Sequence, residues 1–491
     1  MDNPLRGLNT TGLNRRQVLS LAAMAAAAVP LTACGSGERT RQAGPASSTA
    51  SASGGSAVIN PDRPESALFP YAEAEKLFDS LPWPTTNVPE PTSKVTVTVA
   101  IIPGQRHEVR HAQFAKFIKK RHPNIDIKVE VTPFDDFRTK YLTGAASGVL
   151  PDIMYSQFQW GQSFIKNNLY LPLDDYIAAT PEFNRADFSK AALSYWERDG
   201  KLYALGTDSA PKLLFYNKEI FEKAGAKVPD ASWTWDKLME AARGLVSGTG
   251  AQKVFGFTPV PKPTSDLTAT FLLAHGGRYL TADETKCVIQ EPASRDILKR
   301  WIDLLIKDKA MPDLAETQAT AKVEPFTLGR GALYVGGAWN IVTLLTLPAE
   351  QQFDWSLTHV PSGPEGRFTP VLGSAFGITS KTRNPEAAWI VLNSLRSYAG
   401  HRFFLDTPPS RLSAFEENLQ DLKLDKEVID TTKDSLHKYG TSDGVLRLPA
   451  TPKLEDLTKP IWERVMSGSL SVDDGLKQVT ERVTPMLAEN V

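Results

Sequence analysis

Three runs decide the class of this chain: Val95-Thr96-Val97-Thr98-Val99-Ala100-Ile101-Ile102, then Ile125-Asp126-Ile127-Lys128-Val129-Glu130-Val131, then Pro151-Asp152-Ile153-Met154-Tyr155. The first is β-branched and period-two at its start. The second alternates apolar with charged residues throughout, which is the pattern of a half-buried strand. A helix to about residue 121 fills the first gap and buries Phe114, Phe117 and Ile118; a second helix, over 134–146, fills the next. Strands alternating with helices predict an α/β sheet with parallel members.

Downstream, helices are expected at 164–168, 218–223, 235–245, 267–275, 294–308 and 385–397, with two more near the C-terminus, and no repeat of fixed period is present. Upstream, residues 35 to about 66 are rich in Ser, Ala, Gly and Pro, with hardly a bulky apolar residue before Val58. Such a segment cannot bury enough surface to offset its ordering entropy. As a Gly/Ser-type coil it reaches about 30 Å root-mean-square. Residues 67–80 (Ala67, Leu68, Tyr71, Leu77, Phe78) predict a short amphipathic helix that either packs on the body or extends the tether. Pro82-Trp83-Pro84 to Pro91 then reads as a stiff connector.

The first 34 residues carry two stacked signals. Arg15-Arg16-Gln17-Val18-Leu19 is a twin-arginine stretch, and Val18 to Leu31 is apolar, ending in Leu31-Thr32-Ala33-Cys34. Twin-arginine signals are receptor-read export addresses, and a charged front with a short apolar run reads as a cleaved signal peptide. At about 1.5 Å per residue the run spans roughly 20 Å, short of the roughly 30 Å hydrocarbon core. Leu-Thr-Ala-Cys resembles the lipobox of bacterial lipoproteins, which implies lipidation of Cys34 as the mature N-terminus on the outer face of the cytoplasmic membrane. Residues 1–33 are then the signal peptide and 34–92 the tether.

The chain has 491 residues, 41% of them hydrophobic, and a formal net charge of −1. That length suggests two or three domains, and near-neutral charge argues against a nucleic-acid partner. With Cys34 lipidated, Cys287 is the remaining one of two cysteines, so stability must come from packing.

From Lys94 onward the chain resembles the extracellular solute-binding proteins of ABC importers, specifically the carbohydrate-binding family that includes maltose-binding protein. Leu213-Leu214-Phe215-Tyr216-Asn217-Lys218-Glu219-Ile220-Phe221-Glu222-Lys223-Ala224-Gly225 matches a YNK–xx–F–xx–AG run, followed by Pro229 and Trp233-Thr234-Trp235 before a helix. Ala274-His275-Gly276-Gly277, the block from Phe326 to Leu333 with Gly336-Gly337-Ala338-Trp339, Asn384-Pro385-Glu386-Ala387-Ala388-Trp389, and Ser467-Gly468-Ser469-Leu470-Ser471 follow in the family's order. The physics agrees: Asn384 suits an N-cap, Pro385 the first helical position, and Gly225 a helix end.

The resemblance implies a two-lobed periplasmic-binding-protein fold with a hinge and a central ligand cleft. One lobe would be 94–206 plus 374–408, the other 207–373 plus 409–491. It implies a monomer that binds a carbohydrate and docks on ABC permease subunits. Carbohydrate sites pair aromatic platforms with amide, carboxylate and hydroxyl groups. Three places fit: the loop Ser156–Trp160 with Gln157, Gln159 and Trp160; Thr207, Asp208 and Ser209 at the first crossing; and Trp339 with Asn340. Ser265 with Asp266, Ser374 and Arg411 are further carry-overs bordering the cleft. Trp233 and Trp235 are expected to pack at a helix start, and Trp196, Trp301, Trp389 and Trp462 to lie in the core.

His107-Glu108-Val109-Arg110-His111 fits the H-E-x-x-H pattern of zinc hydrolases, whose i and i+4 histidines share a helix face. Here it lies at the very start of a helix, Arg106 and Arg110 would oppose a cation, and no third ligand is signalled. The pattern is read as a solvated helix start, with ligand or metal contact as the alternative. Gly373-Ser374-Ala375-Phe376-Gly377 has its serine one place early for a nucleophile elbow. No catalytic residue, cofactor or metal is therefore expected. The reading is capture of a sugar or oligosaccharide; a glycerol phosphate, polyol or peptide held by the same fold is the alternative, with Arg411, Lys212 or His107 as candidates to meet a phosphate. An exported zinc hydrolase using His107, Glu108 and His111 is the remote one.

Overall fold

The structure, a computed structural model, describes residues 71–103, 105–258, 268–319, 323–404, 408–442 and 445–488. Readings on the signal peptide, Cys34, the 35–66 tether, Ser265 and Asp266 lie outside these residues. No helix among the described residues is long and apolar enough to cross a membrane.

The chain opens with helix α1 (Tyr71–Ser80), then runs β1 (Val95–Ile101), α2 (Gln105–Arg121), β2 (Ile125–Val131), α3 (Phe134–Ser147), β3 (Ile153–Gln157), α4 (Phe158–Lys166) and β4 (Leu205–Gly206). It crosses to β5 (Ala210–Asn217), α5 (Lys218–Lys223), α6 (Trp235–Gly244), β6 (Phe255–Thr258), α7 (Pro292–Ile306), β7 (Gly331–Gly337), α8 (Asn340–Leu345), β8 (Trp355–His359) and β9 (Thr369–Leu372). Then come β10 (Ser374–Ile378), α9 (Pro385–Leu395), α10 (Tyr398–Phe404), α11 (Phe415–Asp421), α12 (Lys426–His437), β11 (Gly440–Thr441), α13 (Thr451–Met466) and α14 (Val472–Ala488).

Two large sheets result, beside a two-stranded pairing of 197–198 with 201–202. The first has the order β2-β1-β3-β10-β4; β1 is parallel to both β2 and β3, while β10 runs antiparallel to β3 and β4. The second has the order β11-β9-β5-β7-β6, with β8 antiparallel to β5. Each sheet has its own apolar core. Trp196 and Trp389 fill the first lobe; Trp235, Trp301 and Trp462 fill the second.

The chain passes between the sheets at 207–209, again at Gly373, and a third time by way of 408–411. These passages lie side by side: Thr207 donates its N–H to the Ser374 carbonyl, Ser209 to Pro408, and Ser410 to Thr207. They approach closely enough to demand small residues, since a Cβ on Gly373 would sit 2.4 Å from the Asp208 carbonyl oxygen. Overpacking of this kind typically costs about 1–3 kcal/mol. Gly373→Ala is therefore expected to lower the thermal midpoint by several degrees in scanning calorimetry; an unchanged midpoint would show that the crossings yield freely.

One alternative is chosen here and one expectation is corrected. Of the two readings of the segment before the first strand, packing on the body is the one the structure has. Phe78 is fully buried, stacked on Phe117 at 4.6 Å and set edge-on to Trp83 and Phe403. Arg121 lies over Trp83 at 4.3 Å and pairs with Asp79 at 2.8 Å, and Asn87 donates its N–H to the Ala179 carbonyl. Residues 71–91 thus form a strap on the first lobe. Second, Ser156–Trp160 is not a loop: β3 ends at Gln157 and α4 begins at Phe158. Trp160 and Phe164, one helical turn apart, both face the core.

The second lobe carries an acid-sensitive group. His359 is buried with Nδ1 2.8 Å from the Ser435 hydroxyl. Burial, and then the nearby Arg367 charge, push its imidazole down to about 4. The unfolded chain takes up a proton near the ordinary value of about 6.5, whereas the folded one does not until about pH 4. Stability contributed by the neutral ring is complete above about 6.5 and is lost as pH falls toward 4. His275 and His437 shift in the same direction, each chiefly through burial. His359→Gln should make the fall in thermal midpoint between pH 6.5 and 4 shallower, though not flat; an unchanged slope would remove His359 from this account.

Candidate functional site

The two lobes meet beside the crossings, and the groups gathered there come from distant parts of the chain. Asp208 sits at the centre. Its Oδ1 accepts the Ser374 N–H at 2.9 Å and the Ser374 hydroxyl at 2.7 Å, and Thr207 Oγ1 lies 2.9 Å from the same hydroxyl. Gln157 stands opposite Ser374 in the β3–β10 register and donates from Nε2 to the Tyr155 hydroxyl at 2.5 Å. Burial, with the Asp208 charge adding to it, pushes the Tyr155 hydroxyl well above its ordinary range, so it remains a neutral phenol.

Trp339 supplies the apolar surface. It follows β7 directly, and its ring covers Gly337 so closely that a Cβ there would lie 2.1 Å from the indole. Partly buried, it packs against the hydrophobic clusters of both lobes, and Lys212 Nζ lies 5.7 Å from its ring centre. Asn340 is buried beneath, donating Nδ2 to the Gly337 carbonyl at 2.9 Å. The arrangement joins one aromatic face to amide, hydroxyl, carboxylate and ammonium groups, a combination suited to a polar solute with apolar C–H faces.

Of the residues singled out from sequence, Gln157, Asp208, Ser374 and Trp339 lie in this region. Gln159 is half-buried in the first turn of α4. Trp160 is taken up by the core, stacked on Phe137 at 5.8 Å. Ser209 is fully buried, its hydroxyl without a hydrogen-bond partner among the described residues. Arg411 is tied elsewhere: Nη1 pairs with Asp187 at 2.9 Å and Nε donates to the Arg396 carbonyl, a buried brace at the third crossing. Thr207, named with Asp208 and Ser209 at the first crossing, belongs here too, and Tyr155 was missed. Each hydroxyl belongs to a polar cluster assembled across the β3–β10 pairing and the crossings, which one sequence does not display.

The H-E-x-x-H stretch is not a solvated helix start at its second histidine. His111 is buried, 4.8 Å from the Phe404 ring and 5.6 Å from Phe376. The His107 side chain lies outside the described residues. Among the described residues, no three His, Cys, Asp or Glu side chains gather in a way that could hold a metal. Cys287 is buried, and burial pushes its thiol up to about 11, a poor nucleophile at neutral pH.

Two lobes, each an α/β unit, joined by adjacent crossings and sharing a tryptophan that packs on both, define a two-lobed binding protein of the periplasmic type. The chain belongs to the bacterial extracellular solute-binding protein family, whose pattern it matches over residues 106–400, more than half its length. It is 24% identical over 281 residues to a binding protein of Brucella abortus, a match covering 57% of this chain and 66% of that one, just under two thirds of the relative. It is 30% identical over 169 residues to the arabinooligosaccharide-binding protein of Bacillus subtilis, covering 34% of this chain and 37% of that one. In fold it is similar to an ABC substrate-binding protein of Listeria monocytogenes solved with cycloalternan: TM-score 0.70 and 22% identity, over 81% of this chain and all of that one.

Proposed function

We propose that this protein is the solute-capturing subunit of an ABC importer for an oligosaccharide or other sugar-derived solute. The observation that carries the reading is Trp339, an indole packed against the clusters of both lobes with Lys212 by its ring, in a molecule whose crossings carry the polar group of Asp208, Ser374 and Gln157. A sugar ring laid on that indole, with its hydroxyls on the surrounding polar groups, bonds to both lobes at once. It therefore favours the closed arrangement over the open one by differential affinity. The work is capture and release to permease subunits, with no bond made or broken in the solute. The likeness to an arabinooligosaccharide-binding protein and to a substrate-binding protein solved with cycloalternan supports the solute class.

In the same reading the protein is exported by its twin-arginine signal and held at the outer face of the membrane by a lipid on Cys34. Cys34→Ser is then expected to move it from the membrane fraction to the soluble exported fraction. Retention in the membrane would contradict lipid anchorage.

A thermal-shift screen of residues 67–491 against mono- and oligosaccharides, polyols, glycerol phosphates and short peptides tests the solute class. A ligand at 100 times its dissociation constant stabilises by about 2.7 kcal/mol, a shift of a few degrees. Response to sugars alone supports the reading; response to peptides or glycerol phosphate alone overturns it.

A further inference from the structure

Away from the crossings, a single helical turn, Val445–Arg447, divides its side chains between the two lobes. Val445 is buried in the apolar core of the second lobe, whereas Leu446, the next residue, is fully buried in the core of the first. The turn itself is built into the second lobe. The Thr451 hydroxyl, at the start of α13, reaches the Val445 carbonyl and, at 2.8 Å, that of Leu448. Arg447 pairs with Glu284 Oε1 at 3.3 Å. Leu446 is thus a second-lobe residue seated in the first.

Both the turn and the start of α13 lie against α4. That helix begins directly after Gln157, one of the polar groups gathered at the crossings, so the seat is beside the candidate cleft. Arg138 on α3 and Asp456 on α13 add an ion pair across the same boundary at 3.2 Å. Asp456 is 69% exposed in its side chain, and so exposed a pair is weak. The buried leucine is the stronger tie.

No crossing carries the chain into the first lobe at Leu446, since the last of them lies at 408–411. Hinge motion that parts the lobes must therefore draw this side chain out of its seat, wetting the leucine and the apolar wall it leaves. Full burial of a leucine side chain is worth roughly tenfold or more in a two-state equilibrium. A contact made in one arrangement and lost in the other biases the lobes by that difference.

We propose that Leu446 is a latch that holds the two lobes together by itself, before any solute is bound. The inference goes beyond the carbohydrate reading and holds whichever solute the cleft takes. Leu446 is a positioning residue: it acts through the lobes, setting how often the cleft stands open for a solute to enter or leave.

The test is small-angle X-ray scattering of residues 67–491 without solute, for the wild-type protein, Leu446→Ala and Leu446→Met, well below each melting midpoint. The wild-type profile should be the compact one calculated from the structure. Leu446→Ala should scatter with a larger radius of gyration, while Leu446→Met, which refills the seat at similar volume, should return to the wild-type radius. Melting curves of the three proteins show that each is folded. A folded Leu446→Ala with the wild-type radius would make this leucine an ordinary core residue and overturn the latch, whatever its melting midpoint. A wild-type radius already as large as that of Leu446→Ala would overturn it too, because the lobes would then part despite the leucine. A Leu446→Met radius matching that of Leu446→Ala would contradict an apolar seat. No solute enters the experiment, so its failure leaves the carbohydrate reading untouched.

Discussion

Trp339→Ala is expected to weaken solute binding by about 2 kcal/mol or more, roughly thirtyfold in affinity, and to erase the thermal shift that a wild-type ligand produces. The size follows from position. The indole packs on the hydrophobic clusters of both lobes and covers Gly337, with the Lys212 ammonium over its face. Truncation removes a stacking surface and a contact that closure brings to the solute from both sides. Hot-spot losses of this order are typical of an aromatic anchor at the centre of an interface. Trp339→Phe keeps a smaller platform and should fall between the two. Titration of the three proteins with one sugar decides the matter; equal affinities would mean that the ring packs the lobes and never meets the solute.

The second large effect lies far from the cleft. Phe78→Ala should destabilise the first lobe by about 3–5 kcal/mol, the usual cost of deleting a fully buried phenylalanine. Phe78 is enclosed by Trp83, Phe114, Phe117 and Phe403. It joins the strap to α2 and to α10, the helix that precedes the third crossing. Removing residues 71–92 altogether should cost more, because the Asp79 pair with Arg121 and the bond from Asn87 to Ala179 go with it. Calorimetry reads this as a lower transition for the first lobe. A midpoint equal to wild type in Phe78→Ala would show that the strap is an accessory to a lobe that folds without it.

The strands were plain in the sequence wherever one segment carried the whole signal. Val95–Ile101, Ile125–Val131 and Ile153–Gln157 are present, and Lys218–Lys223 forms a helix capped by the Asn217 side chain. The tryptophans expected to pack do so: Trp235, Trp301, Trp389 and Trp462 from helices, Trp196 and Trp233 from the turns beside them. Antiparallel β10 was harder, since Ser374 pairs with Gln157 and Ala375 with Gly206, strands far back in the chain that period alone does not announce. The start of α4 was misjudged as a loop because it follows a strand at a place where the resembled family puts binding residues, although Trp160 and Phe164 already stood one turn apart.

Site residues were legible in type and less so in role. Arg411 has the chemistry to meet a solute, yet Asp187, 224 positions earlier, holds it. Asp208 could have capped a turn and instead receives both donors of Ser374, 166 positions later. A residue's partner in such a fold is set by how crossings lie against one another, which local spacing does not encode.

The most direct test is calorimetric titration of residues 67–491 with arabino- and maltooligosaccharides at several temperatures. The account predicts heat at one solute per protein, with a negative heat-capacity change as the solute and the facing lobes lose apolar surface to one another. No heat with any member of either series, from a protein whose melting curve shows it folded, would contradict capture of a saccharide between the lobes.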